Sequence, residues 1–138
     1  MLECAQRINA YTLWSDKTDS KNKLKRKEMN SSILNYEEKM WQLFDVTKKE
    51  MPDLADAYYG PVKDAVYREG AINLKIKRLM SLAVAIQAGC KDCMISQTSK
   101  ALELGATEEE IFETCSVAIS MGGTLAWSKA LVVADYLR

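Results

Sequence analysis

A chain of 138 residues carrying 19 basic and 19 acidic side chains has the size of one domain, and it has no net charge to favour nucleic acid or an anionic membrane. It contains no histidine, which excludes Ser-His-Asp and Cys-His nucleophile sets, histidine-ligated metals and imidazole proton shuttles. Six glycines and two prolines are too few for an all-β fold with its many tight turns, whereas 48% apolar residues suffice for one core.

The first 28 residues differ in character from the rest. Asp16 to Glu28 is polar and basic, with Lys17, Lys21, Lys23, Lys25, Arg26 and Lys27 around a single apolar Leu24. This run reads as a solvated leader or linker, with a nucleic-acid arm as the sharper alternative. Leu2, Ile8, Leu13 and Trp14 could form a short amphipathic segment that docks on the body or on a neighbouring subunit. The opening residues lack the basic and apolar regions of a signal peptide, and no stretch approaches the roughly 20 apolar residues that span a bilayer. A cytoplasmic location without membrane contact is therefore expected. The organisation is a basic polar N-terminal extension, residues 1–28, followed by a helical domain, residues 29–138.

From Asn35 onward the period is helical. Asn35 is expected to cap a helix reaching about Glu50, with Met40, Leu43, Phe44 and Thr47 on one side. Pro52 suits the first turn of a second helix, interrupted at Gly60-Pro61 and ended by Gly70, with Tyr58, Val62, Ala65 and Val66 as its apolar stripe. The third, about Leu74 to Ala88, is apolar nearly all round beyond Arg78 and is expected at the centre of the core. Gly89 breaks it. A fourth helix runs from about Lys91 to Leu104 and stops at Gly105. Thr107 and Glu110 form a capping box for a fifth that buries Ile111, Phe112, Cys115, Ala118 and Ile119 and ends at Gly122-Gly123. Leu125 to Leu137 makes the sixth. The fold class is all-α.

Cys90 and Cys93, two residues apart at a helix start, are close enough for a disulfide. Free N–H groups and the dipole at a helix start favour a thiolate, which can attack a peroxide or disulfide and be resolved by its neighbour. Lys91 adds a positive charge and Asp92 opposes it. Structural zinc would need four ligands, and the chain offers neither a second such pair nor a histidine. Inert buried thiols are the other reading. Cys115 lies in an apolar stripe and reads as a buried small hydrophobe; Cys4 lies in the leader.

The order of motifs from Leu74 to Gly123 resembles the AhpD-like (carboxymuconolactone decarboxylase-like) family. The residues that carry the resemblance are Leu79 to Ala85, Ala88-Gly89-Cys90-Lys91-Asp92-Cys93, Ala101 to Ile111, and Met121-Gly122-Gly123. It implies an all-helical subunit of about six helices that assembles into trimers or hexamers. For members with the cysteine pair it implies an antioxidant peroxidase or thiol–disulfide function supplied by a thiol electron donor protein. It further implies that Cys93 attacks the hydroperoxide and Cys90 resolves. The family's peroxidase motif has a glutamate twelve residues before the first cysteine and a histidine four after the second; here those positions hold Arg78 and Gln97. Neither can relay a proton. Arg78 could favour the thiolate or be a solvated or interface charge; Gln97, one turn from Cys93, could bond to a sulfur or substrate or face solvent.

The expected function is therefore a thiol-dependent oxidoreductase or peroxidase acting on hydroperoxides or disulfides, with no cofactor because the sulfur does the chemistry. A non-catalytic helical oligomer or binding member is the alternative. Lactone decarboxylation is disfavoured, since the basic residues look scattered and the acid–base groups are missing. Apolar residues such as Trp41, Phe44 and Trp127 could complete the core of one small subunit or form faces between subunits, and the resemblance favours a homo-oligomer.

Overall fold

The computed structural model describes residues 20–138, with side chains described from residue 32 onward. Cys4 and the leader segment of Leu2, Ile8, Leu13 and Trp14 lie outside the described residues. Among those described, every regular element is helical and there is no strand.

The first helix, α1, spans Ser20–Glu50. It carries neither Gly nor Pro and is rich in straight-chain Lys, Glu, Leu and Met, so nothing in the local sequence stops it. The expectation that Asn35 caps this helix is therefore corrected: Asn35 is exposed in the middle of it. The helix also runs through the position between residues 28 and 29. It ends at Glu50, just ahead of Pro52, which opens α2, Pro52–Ala57, from the first helical position.

A π-helical turn, Tyr58–Val62, joins α2 to α3, Lys63–Val66. Gly60 leaves helical geometry there (φ −84°, ψ −106°) beside Pro61, at the interruption the sequence announces. The segment ends at Val66, earlier than Gly70, because Tyr67 turns out of the helix. Tyr58, Val62 and Val66 are all exposed, so the stripe expected here is not core.

Three helices make the body: α4 (Leu74–Ala88), α5 (Lys91–Glu103) and α6 (Glu108–Leu137), each packed on the other two. Asn73 caps α4 by accepting from Ile76 N at 2.9 Å. Leu82 and Ile86 of α4, Met94, Ile95 and Ala101 of α5, and Ile111, Cys115 and Val133 of α6 form the centre of the core. Yet α4 is not buried on every side. Ile76, Met80 and Val84, spaced four apart, are 39%, 53% and 68% exposed, so one apolar stripe faces outward. Trp127 is exposed as well, whereas Trp41 and Phe44 are half-buried.

The capping box of Thr107 and Glu110 opens α6, and Lys75 reaches from α4 to Glu110 at 2.7 Å. The two helices expected on either side of Gly122-Gly123 are both present, meeting end to end at a break within the span Glu108–Leu137. Gly123 takes φ 60°, ψ −151°, a conformation open to glycine and costly for other residues. Across the kink, Gln87 of α4 donates its side-chain amide to Ala118 O at 2.5 Å. The apolar length of this span corrects one expectation, that no stretch approaches the length of a membrane crossing. By length and composition α6 is a helix that could cross a membrane, although in this fold it buries Ile111, Cys115, Ala118, Ala126, Ala130 and Val133 against its neighbours.

Candidate functional site

The turn between α4 and α5 fixes the cysteine pair. Gly89 ends α4 in the left-handed region (φ 70°), with Gly89 N bonded to Ile86 O and Cys90 N to Ala85 O, both at 3.1 Å. That pair of bonds is a Schellman turn, and it reverses the chain within two residues. A β-carbon on Gly89 would also lie 3.1 Å from Cε of Lys129, whose ammonium donates to Gln87 O at 3.0 Å and clamps the end of α4.

Cys90 then sits at the N-cap of α5 with extended backbone (φ −83°, ψ 98°), and its Sγ accepts from Cys93 N at 3.2 Å. A sulfur thus occupies the place that Ser or Asp takes at an ordinary cap, where N–H groups and the helix dipole favour negative charge. Cys90 and Cys93 are joined as a disulfide, with Cα atoms 5.2 Å apart. Cys90 is half-buried and Cys93 exposed, so the second cysteine is the more accessible of the two.

The residues between the cysteines are held by α1, a relationship the sequence reading missed. Tyr36 donates to Asp92 Oδ1 at 2.6 Å, and the Lys91 ammonium lies 3.8 Å from the centroid of the same ring. The hydrogen bond to Asp92, with smaller contributions from burial and the Asp92 charge, raises the Tyr36 pKa above its usual value. A second bond, from Tyr136 of α6 to Glu37 at 3.0 Å, fastens the next residue of α1. Two clefts flank Tyr36: one of about 370 Å³ reaching Met40, Leu43, Phe44 and Asp92, another of about 330 Å³ reaching Lys39, Lys91 and Asp135. No local signal marks these contacts, because the partners are 56 residues apart.

Arg78 and Gln97, singled out from sequence, meet each other. Arg78 Nη1 donates to Gln97 Oε1 at 3.3 Å, bridging α4 and α5, and its guanidinium carbon lies 3.6 Å from the centroid of Tyr67. Arg78 Nε is buried without a hydrogen-bond partner. Neither side chain hydrogen-bonds to Cys90 or Cys93 among the described residues, so the two relay positions are filled by a pair that engages itself. Tyr67 in turn shares a 2.8 Å hydrogen bond with Ser81 of α4.

The remaining described thiol belongs to a different environment. Cys115 is buried in the core, and desolvation pushes its pKa up to about 11, as expected of a packing residue rather than a reactive one. Among the described residues, no three or more Cys, Asp or Glu side chains converge as a metal site would require. What the arrangement offers chemically is a dithiol–disulfide couple at a helix start, one member open to solvent.

Comparison with known proteins agrees with the fold and the motif. The sequence profile of the Carboxymuconolactone decarboxylase family matches residues 52–136. A protein of Cupriavidus necator, itself uncharacterised, is 35% identical over 98 residues, covering 69% of this chain and 86% of that one. Among solved structures, an apo carboxymuconolactone decarboxylase family protein from Legionella pneumophila superposes with a TM-score of 0.64 at 25% identity. That match covers 82% of this chain and 95% of the other. A family member from Thermotoga maritima, whose description suggests involvement in an antioxidative response, superposes with a TM-score of 0.54 at 29% identity, covering 61% and 88%.

Proposed function

The chain belongs to the carboxymuconolactone decarboxylase family, and from that premise we propose that it is a dithiol oxidoreductase of antioxidant type, reducing hydroperoxides or exchanging disulfides through Cys93 and Cys90. The observation that carries the reading is the disulfide-forming pair at the start of α5, with one sulfur capping the helix and the other cysteine exposed.

In the reduced protein, the Cys93 thiolate attacks the terminal peroxide oxygen. The O–O bond breaks, Cys93 becomes a sulfenic acid, and the alkoxide leaves as the alcohol after taking a proton from water. Cys90 sulfur then attacks Cys93 sulfur, expelling hydroxide as water and forming the disulfide. A dithiol electron donor protein returns two electrons: one of its thiolates attacks the exposed Cys93 sulfur to give a mixed disulfide, and its second thiol then attacks its own sulfur in that bond, releasing Cys93 and leaving the donor as a disulfide. In the first of these attacks the Cys90 thiolate is the leaving group, and the cap hydrogen bond from Cys93 N–H and the helix dipole stabilise it. The reading places this cycle in the cytoplasm, where such donors operate.

The test is intact-mass analysis after alkylation, on reduced protein with and without one equivalent of an organic hydroperoxide. Loss of two alkylatable thiols, mapped to Cys90 and Cys93 and absent in Cys93→Ser, is the expected result. Unchanged thiols would defeat the peroxidase reading, and absence of exchange with a dithiol donor would defeat the remainder.

A second reading, a non-catalytic member of the family, is favoured by one observation: Arg78 and Gln97 occupy the relay positions and hydrogen-bond to each other, leaving no titrating group there. It predicts no thiol reactivity toward peroxide or disulfide. Under either reading we propose a homo-oligomer, because the outward stripe of Ile76, Met80 and Val84 on α4 and the exposed Val117, Met121 and Leu125 on α6 match an apolar subunit contact. Sedimentation of wild type against Val84→Glu tests it: a monomer in both refutes it.

A further inference from the structure

Basic residues that look scattered in the sequence are gathered by the fold. Lys63 of α3, Arg78 of α4 and Lys100 of α5 come from three helices to one side of the molecule. The Lys63 ammonium and the Arg78 guanidinium approach the same Tyr67 ring, 5.3 Å and 3.6 Å from its centroid, and the Lys100 ammonium lies 5.2 Å from the Trp41 ring. None of the three makes an ion pair with Asp or Glu among the described residues. Burial, and then the positive charges of Arg78 and Lys63, hold the Lys100 pKa below its usual value, with Glu103 pulling the other way. The cluster is therefore half-desolvated and under-compensated, a setting in which an anion gains more than it does in water.

Its position relative to the sulfurs follows from helix geometry. Cys93, Gln97 and Lys100 recur at i, i+4 and i+7 and so share one stripe of α5, about 10 Å from end to end. Arg78 enters at the middle of that stripe through its 3.3 Å bond to Gln97. Tyr67 and Trp41 flank the cations with apolar ring faces. One end of the stripe holds a reactive sulfur and the rest holds positive charge beside aromatic surface.

We propose that Arg78 and Lys100, with Lys63 behind them, form a carboxylate-binding subsite that selects organic hydroperoxides carrying an acid group a short aliphatic chain away from the peroxide. The proposal rests on the dithiol reading for the reaction itself and adds the class of substrate. Arg78 supplies the anchor, since its contact with Gln97 leaves guanidinium N–H groups over for a carboxylate. Lys100 sets the far limit of chain length.

The experiment compares ω-hydroperoxyhexanoate with its methyl ester, which bears the same peroxide without the charge, in the rate of thiol loss from reduced full-length protein. The acid should react at least about tenfold faster than the ester, the scale of one charge-assisted hydrogen bond. The acid-to-ester ratio should fall toward one in Arg78→Met and in Lys100→Met. The ratio should also peak at intermediate length, being smaller for hydroperoxypropanoate, whose three-carbon chain is short against a stripe of about 10 Å. Equal rates for acid and ester in the wild type would overturn the subsite and leave the peroxidase reading standing. Thiols left unchanged by every hydroperoxide tried would overturn the peroxidase reading instead. The subsite would then be judged by calorimetric titration of ω-hydroxyhexanoate: saturable binding lost in Arg78→Met supports it, and anything else overturns it.

Discussion

Tyr36 donates its phenolic hydrogen to Asp92 at 2.6 Å, tying the middle of the Cys90–Cys93 turn to a helix 56 residues earlier. The bond raises the Tyr36 pKa above 10.0. A group whose pKa is raised on folding stabilises the folded state below its unfolded pKa, and the contribution is lost as pH rises through the raised value. The contact is thus intact at neutral pH and weakens in the alkaline range above the ordinary tyrosine value. In a tyrosinate absorbance titration, Tyr36→Phe should lack one late-titrating tyrosine relative to the wild type. Superimposable late phases in the two proteins would show the bond to be absent in solution.

The buried thiol should behave as the opposite of the reactive pair. With its pKa pushed from 9.0 to about 11 by desolvation, Cys115 should resist alkylation of the native, reduced protein at neutral pH and react once the protein is unfolded. The same shift makes the fold less stable as pH climbs from about 9 toward about 11, because the unfolded thiol ionises first. Peptide mapping after brief alkylation checks this, and native-state labelling of Cys115 at the rate of Cys93 would contradict it.

Gly122 has no room for a methyl group. A β-carbon there would meet Ala126 Cβ at 2.6 Å and the Gln87 amide at 2.7 Å. Gly122→Ala should therefore disturb the hydrogen bond from Gln87 to Ala118 and cost about 1–3 kcal/mol, the usual range for overpacking. Chemical denaturation reads the difference. A stabilised variant, as helix propensity alone would forecast, would mean that the kink relaxes freely.

Thr98 is fully buried on α5 and its hydroxyl has no hydrogen-bond partner. Leaving such a group unpaired costs about 1–3 kcal/mol. Thr98→Val, which keeps the shape and removes the polar atom, should raise the denaturation midpoint, and a marked loss of stability would refute the assignment.

Elements set by short-range chemistry were legible in the sequence, and those set by long-range contact were not. The Thr107–Glu110 box, Gly89 and the Gly60-Pro61 interruption announce themselves within a few residues, because caps and backbone breaks are local events. Asn35 looks like a cap wherever it stands, and only the continuing helical backbone upstream overrides it. The Gly122-Gly123 pair announces a break in the same way, and the helix is interrupted at Gly123 before it resumes. At the site, the cysteine pair was evident from spacing. Arg78 and Gln97 were found by position in a motif, but their mutual hydrogen bond, the Tyr67 stack and the Tyr36–Asp92 clasp depend on which helices become neighbours.

The clasp between Tyr36 and the Lys91-Asp92 dipeptide has a consequence for how the molecule can be divided. The family match begins at residue 52, whereas Tyr36 lies on a helix that ends before it. A fragment cut to the shared segment would keep both cysteines and lose one wall around them. Its shortfall in performance would then be mistaken for weak chemistry when the missing part is a borrowed wall.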